Sequence, residues 1–476
     1  MRKFPAVVSS LLLVASAATA GAQYQQGAAL DRNQQLARDI YKQLIEINTV
    51  DSVGSPTLAA NAMAKRFLDA GFPAADVHVL GPRADKYNLV VRYHGTGARK
   101  PLLLLAHLDV VAALKSDWSN DLDPFTFTER DGYFYGRGTS DDKAMASIFV
   151  ANLLRMKAEH YTPDRDIIVA LTADEEGGPA NGVRWLVENH RDLIDAAYAL
   201  NEGGGGALRV GKPYLNSVGA AEKVYTDFTI TARNPGGHSS VPRDDNAIYE
   251  LANALTHVAA FQFPVMLNPV TTAFFAKTAT IETNPAMAAA MRALTVNPKD
   301  SAAAATLSKD ARYRSMLRTT CVATMLAGGH ARNALPQTAT ANINCRMAPG
   351  HDPAEVRASL AKAIGDTGIV ISAAPAMEHA QPSPLTPEVM GAIERVTHEL
   401  YGDIPVIPTM GTGATDSKYL RAVGIPGYGV SGIMSEPGDN RAHGRDERVA
   451  VKSYFDGQEF LWRLTKDLTS AGRTVP

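Results

Sequence analysis

The chain has 476 residues, 45% of them hydrophobic and 20% charged, with a formal net charge of -2. That length predicts two or three domains with sizeable cores, and the near-neutral charge gives no ground for nucleic-acid binding. The only two cysteines, Cys321 and Cys345, exclude a thiolate zinc cluster, so any metal must be held by His, Asp and Glu.

In chain order, the first segment is MRKFPAVVSSLLLVASAATAGAQ. Arg2 and Lys3 precede an apolar stretch too short and too rich in Ala and Ser to span a bilayer, which closes on Ala20-Gly21-Ala22. Residues 1–22 therefore read as a signal peptide, and the protein as exported, periplasmic or secreted. No later apolar run reaches about 18 residues, so no membrane association is expected after signal removal. Leu36, Ile40, Leu44 and Ile47 repeat at helical spacing, as do Met63 and Phe67 before Gly71. NLVVRYH, PLLLLAHL, DIIVAL and AAYALN read as strands, separated by helical patterns over 143–158 and in GVRWLVENH. Near-continuous apolar strands alternating with amphipathic helices predict an α/β sheet covered on both faces. The same texture returns in helix 387–401, strand IPVIPT, helix 415–423, strand PGYGVSG and helix 448–468.

Between these halves the pattern changes. VYTDFTITA alternates like a half-exposed strand, followed by a helix at 246–259, strands at 318–327 and 338–347, a helix over Pro353 to Ile364 and the strand GIVISAA. The order β-α-β-β-α-β is that of a ferredoxin-like sandwich. Residues 220–379 are thus expected to form an α+β domain inserted into a catalytic domain made of 23–219 and 380–476, with 261–317 as a helical insertion of its own. Cys321 and Cys345 fall in two strands joined by one loop; a disulfide and two buried thiols both remain open.

The candidate chemistry sits at strand ends. PLLLLAHLDVV places His107 and Asp109 two apart, on one face of an extended chain. YGRGTSDDKAM sets Asp141 and Asp142 between a glycine-rich turn and a helix start; LTADEEGGPA crowds Asp174, Glu175 and Glu176 after a strand; Glu202 precedes four glycines; His443 lies in a polar loop. Singly these read as a satisfied histidine, an N-cap and solvated turns. Together, two imidazoles and several carboxylates at the carboxyl ends of strands suit zinc or a similar divalent ion, and the surplus of carboxylates suits two ions. GYGVSG satisfies G-x-G-x-x-G but overlaps a strand and leads into a loop, and the four glycines at 203–206 lack the Lys-Ser/Thr of a P-loop, so neither marks a nucleotide site.

The motifs AHLDVV, YGRGTSDDKA, ADEEGG, LNEGG, PGGHSSVP, GGHARNALP and AHGRDERV, in that order, resemble those of the dinuclear zinc peptidases and amidohydrolases that include carboxypeptidase G, aminoacylase, carnosinase and succinyl-diaminopimelate desuccinylase. The resemblance implies that His107 and Glu202 hold one zinc, His443 and Glu176 the other, and that Asp141 bridges both, with Co2+ or Mn2+ as substitutes. It implies that Asp109 orients His107, that Glu175 is the general base, and that a cis peptide follows Asp141. It assigns the oxyanion donor to His238, which in dimeric members arrives from the partner's inserted domain, so a homodimer is expected. Asn333 and Arg346 match substrate-carboxylate contacts, and Gly413 and Thr415 of GTGATD are expected in the same pocket. The implied reaction is amide hydrolysis on small peptides, as a carboxypeptidase or dipeptidase acting beside a free carboxylate. The alternative is an N-acyl-amino-acid deacylase. A metal-dependent binding protein without catalysis is disfavoured by the presence of Glu175.

Overall fold

The computed structural model describes residues 29–373 and 380–470, so the expected signal peptide at 1–22 lies outside the described residues. Among the described residues no helix is long and apolar enough to cross a membrane.

A mixed ten-stranded sheet forms the larger unit. At its centre the strand Leu102–His107 runs parallel to Ile167–Thr172 on one side and to Tyr198–Asn201 on the other, and Gly427–Gly429 continues the parallel set. Asn88–Tyr93 and Val77–Leu80 extend the sheet antiparallel at one edge. The period-2 geometry of a strand explains the continuous apolar sequence. Leu102, Leu104 and Ala106 enter the core beneath helices Arg32–Glu46, Lys143–Ala158 and Val451–Leu468, whereas Leu103 and Leu105 face a second core under Gly182–Asn189 and Ser417–Ala422. With both faces covered, every position must be apolar until the strand ends. The parallel strands all discharge their carboxyl ends on one side, where His107, the 173–176 segment and Glu202 emerge.

The smaller unit is a four-stranded antiparallel sheet built from Val224–Arg233, Thr320–Gly328, Thr338–Met347 and Val370–Ala373. The first strand lies between the third and the fourth, with the second at the edge, and helices Ala247–Ala260 and Pro353–Ile364 share its core. This is the ferredoxin-like order. Cys321 and Cys345 stand opposite each other on adjacent strands and form a disulfide.

The helices at 261–317, read from sequence as part of the inserted segment, pack elsewhere. Pro269–Thr278 lies against the strand Val406–Gly411, and Phe274, Phe275, Met291, Leu294, Leu307 and Met316 join the core of the larger sheet. The apolar spacing that made these helices legible does not say which core they enter. Several short strands also went unread. At the strand Gly205–Arg209, a Cβ on Gly204, just before it, would collide with the Gly429 carbonyl oxygen and one on Gly206 with the Met434 sulfur. These glycines let strands approach closely and carry no β signal of their own.

Candidate active site and metal centre

Asp141 lies in the turn before helix Lys143–Ala158 and directs one carboxylate oxygen to each of two histidines. Oδ1 is 3.0 Å from His107 Nε2 and Oδ2 is 3.0 Å from His443 Nε2. His443 Nε2 is also 2.9 Å from Glu176 Oε1, and His107 Nε2 is 3.9 Å from Glu202 Oε1. Ligand atoms of His107, Asp141 and Glu176 converge within 4.8 Å, as do those of His107, Glu175 and Glu202. The peptide between Asp141 and Asp142 is cis.

Asp109 has two tasks. Its backbone oxygen lies 3.0 Å from His107 Nδ1, fixing the ring with Nε2 toward Asp141. Its carboxylate accepts the backbone N–H groups of Glu175 and Glu176, at 3.2 and 3.0 Å. Three acidic residues in a row are thereby sorted: Asp174 pairs with the buried Lys86, Glu175 enters the cluster with His107 and Glu202, and Glu176 reaches His443.

Sequence reasoning missed three residues. Glu447 is fully buried and accepts hydrogen bonds from the backbone N–H groups of Gly138, Ser140 and Asp141. It also pairs with Arg137 at 2.7 Å, and Arg137 in turn donates to the Gly444 carbonyl beside His443. One buried ion pair thus ties the Asp141 turn to the His443 loop. Asp416, buried and hydrogen-bonded to Asn181 at 2.6 Å, sets a second negative charge near Glu175. Lys223 is 1% exposed at the junction of the two units and donates to Thr320 Oγ1 at 3.1 Å. Burial and the neighbouring Arg346 guanidinium push its ammonium down to about 7. Glu447 and Lys223 sit in runs that read as solvated charge, and only burial reveals them.

Of the expected substrate contacts, Thr415 donates to Glu222 Oε1 at 2.6 Å and turns its methyl toward Gly203, next to Glu202. Gly413 lies exposed in the same loop. Arg346 stacks on Tyr225, 4.9 Å from the ring centroid, on the sheet face away from the helices. His238 and Asn333 are exposed on a two-stranded pairing of the smaller unit, where the His238 ring meets Ser240 Oγ at 2.7 Å and the Asn333 carbonyl accepts from Ser239 N–H. Among the described residues no hydrogen bond or ion pair joins either of them to the cluster within one chain.

The donor set fits a pair of divalent ions. Taken as protein groups alone, Glu175 is pushed up to about 9 by burial and by Asp416, and Glu202 is held well above the carboxylate range by burial, with Asp141 and Asp142 adding to it. His443 is raised to about 9, chiefly by Asp141. At His107 burial opposes the charged form, but Asp141, Glu202 and Asp109 outweigh it. A pocket that holds this many carboxylates in low dielectric is short of positive charge, and imidazole with carboxylate is a zinc-type donor set. Two of these residues, Asp141 and Glu202, line a cleft of about 490 Å³ together with the glycines 203–206.

The chain is 29% identical to the N-fatty-acyl-amino acid synthase/hydrolase PM20D1 of Xenopus tropicalis over 364 residues, 74% of this chain and 69% of that protein. It is 26% identical to aminoacylase-1 of Pongo abelii over 445 residues, 90% of this chain and 95% of the relative. Among solved structures it shares its fold with the metallo-carboxypeptidase Sso-CP2 of Sulfolobus solfataricus, with a TM-score of 0.67 at 16% identity, covering 92% of this chain and 99% of that one. The model of peptidase family M20/M25/M40 matches residues 103–467, more than three quarters of the chain, and the protein belongs to that family.

Proposed function

We propose that the enzyme hydrolyses the amide bond joining an acyl group to an amino acid that bears a free carboxylate, with two zinc ions held by His107, Glu202, Asp141, Glu176 and His443. The observation that carries this reading is Asp141 shared between two histidines, each with its own glutamate. Two divalent ions in that donor set would supply Lewis acidity and lower the proton affinity of a water molecule. Glu175, buried beside them and not needed to complete either His-Glu pair, takes the proton from the attacking water. As the new C–O bond forms and the C–N bond breaks, it delivers that proton to the leaving amine. Lys223 and Arg346 repel each other across the junction, and a substrate carboxylate between them would relieve both. The exopeptidase and deacylase readings share all of this and differ only on the acyl side.

A homodimer is part of the proposal. Strand Thr320–Gly328 is an edge with Val322, Met325 and Leu326 at 58%, 71% and 70% exposure, and Tyr249 of the adjacent helix is 62% exposed. An apolar sheet edge invites a second copy. Such a pairing would carry His238, exposed and apart from its own cluster, to the partner's metals as oxyanion donor. Export is also proposed, supported by the N-terminal sequence and by the disulfide, which belongs to an oxidising compartment.

Exhaustive chelation abolishes hydrolysis, and zinc, cobalt or manganese restores it. Glu175→Gln retains the metals by elemental analysis yet loses at least about a hundredfold in turnover, the usual worth of a general base. Metal loss in Glu175→Gln with retention in Glu176→Gln would reverse the two assignments.

Lys223→Met and Arg346→Ala each raise KM by at least about tenfold, the value of a charge-assisted hydrogen bond, with a smaller effect on kcat. The difference from wild type should vanish on substrates whose carboxylate is amidated. An unchanged KM on the free acid removes these residues from substrate binding.

Mixing inactive Glu175→Gln subunits with inactive His238→Ala subunits under exchange conditions should restore activity toward about half the wild-type level per heterodimer, since one composite site is intact. Verified exchange without restored activity places His238 in its own chain's chemistry or outside catalysis.

A further inference from the structure

The helices of 269–317 do more than extend the core. Between Pro269–Thr278 and Ala311–Leu317 on one side and the strands Lys212–Glu222 and Val406–Gly411 on the other lies a cavity of about 580 Å³. Its wall is largely apolar, with Leu215, Phe274, Ile281, Met316, Ile407 and Met410 facing it. It opens to solvent past the exposed Arg209, Arg312 and Thr412, so a ligand can enter it. It falls within the size range of about 300–1,000 Å³ typical of small-molecule sites.

The chamber adjoins the catalytic cleft. Ala207, Leu215 and Ser217 line both, and Gly411 and Thr412, which begin the loop leading to Thr415, stand at its edge. Its few charged residues are committed. Arg209 lies over the Tyr214 ring at 3.6 Å and Arg312 over Tyr313 at 5.1 Å. Glu282 uses one oxygen to accept from Tyr313 Oη at 3.0 Å and the other to accept from the Asn284 N–H at 2.8 Å. An incoming ammonium, such as the free N-terminus of a peptide, would meet Arg209 and Arg312 against the single carboxylate of Glu282, so the charged lining is net positive and disfavours it.

We propose that this chamber is the acyl subsite, and that the enzyme prefers amino acids N-acylated with an extended alkyl or arylalkyl group over peptides with a free amino terminus. The inference rests on the amide-hydrolysis reading above and adds the chemistry of the acyl side. The scissile amide lies at the metal cluster, the amino-acid carboxylate toward Lys223 and Arg346, and the tail among Leu215, Phe274, Met316 and Met410. The helical insertion thereby determines specificity.

The test measures kcat/KM for one amino acid carrying acetyl, butyryl, octanoyl or dodecanoyl groups, beside dipeptides with an N-terminal leucine. In the wild-type enzyme kcat/KM should rise by about three- to fourfold per methylene, the transfer value of a buried CH2, until the chamber is filled. Octanoyl substrates should exceed the leucyl dipeptide. Ile281→Trp, which fills the half-buried rim, should lower the octanoyl-to-acetyl ratio by at least about tenfold. Met316→Ala should shift the optimum to longer chains, and it decides the matter should Ile281→Trp not fold. A wild-type rate independent of chain length, a preference for the dipeptide, or variants that leave the ratio unchanged would overturn the acyl subsite while leaving amide hydrolysis intact. No hydrolysis of any of these compounds by the metal-loaded protein would overturn both.

Discussion

The structure depends on one carboxylate. Asp141 offers an oxygen to His107 and an oxygen to His443, and so connects a histidine at a sheet strand with one in a loop more than three hundred residues later in the chain. Around it stand Glu175, Glu176 and Glu202, and like charges about 4 Å apart repel by roughly 4 kcal/mol at an effective dielectric near 20. Burial makes the conflict worse, which is why the carboxyls of Glu175 and Glu202 are pushed so far upward. Such an arrangement is reasonable only if positive charge enters it. The rest of the scaffold holds the ligands in place at that cost.

Two buried carboxylates outside the proposed metal-ligand set carry out that holding. Glu447, paired with Arg137, gathers the N–H groups of the 138–141 turn and connects through Arg137 to the His443 loop. Asp109 takes the N–H groups of Glu175 and Glu176 and fixes the His107 ring through its own carbonyl. Both anchor backbone, and backbone anchored to a sheet covered on both faces has little freedom to drift. The substrate side is built differently. Lys223 and Arg346 stand at the junction of the two units and His238 lies on the smaller one, so in the proposed assignment relative placement of the units would govern substrate contacts more than metal contacts.

Much of this was legible in the sequence because of periodicity and strand ends. Leu102 to His107 are apolar until the strand reaches the cleft, and the first polar side chain is a ligand candidate. The acidic row at 174–176 was harder, because a solvated turn has the same composition; it gained meaning only beside His107, Asp141 and His443. What stayed hidden was contact information. Nothing in ERV marks Glu447 as a buried clamp, nothing in AEKVY marks Lys223 as a desolvated cation, and the apolar faces of helices 269–317 fit either core. Gly204 and Gly206 give no strand signal because their role is to admit neighbouring chain, a property of the partner and not of the local sequence.

The central claim is that Asp141 joins two metal ions in one chain. Anomalous diffraction from crystals of the zinc-loaded protein, recorded on both sides of the zinc edge, tests it directly. The account predicts two peaks per chain on opposite sides of the Asp141 carboxylate, one between His107 and Glu202 and one between His443 and Glu176. A single peak, or two peaks with Asp141 outside ligand distance of either, would contradict it.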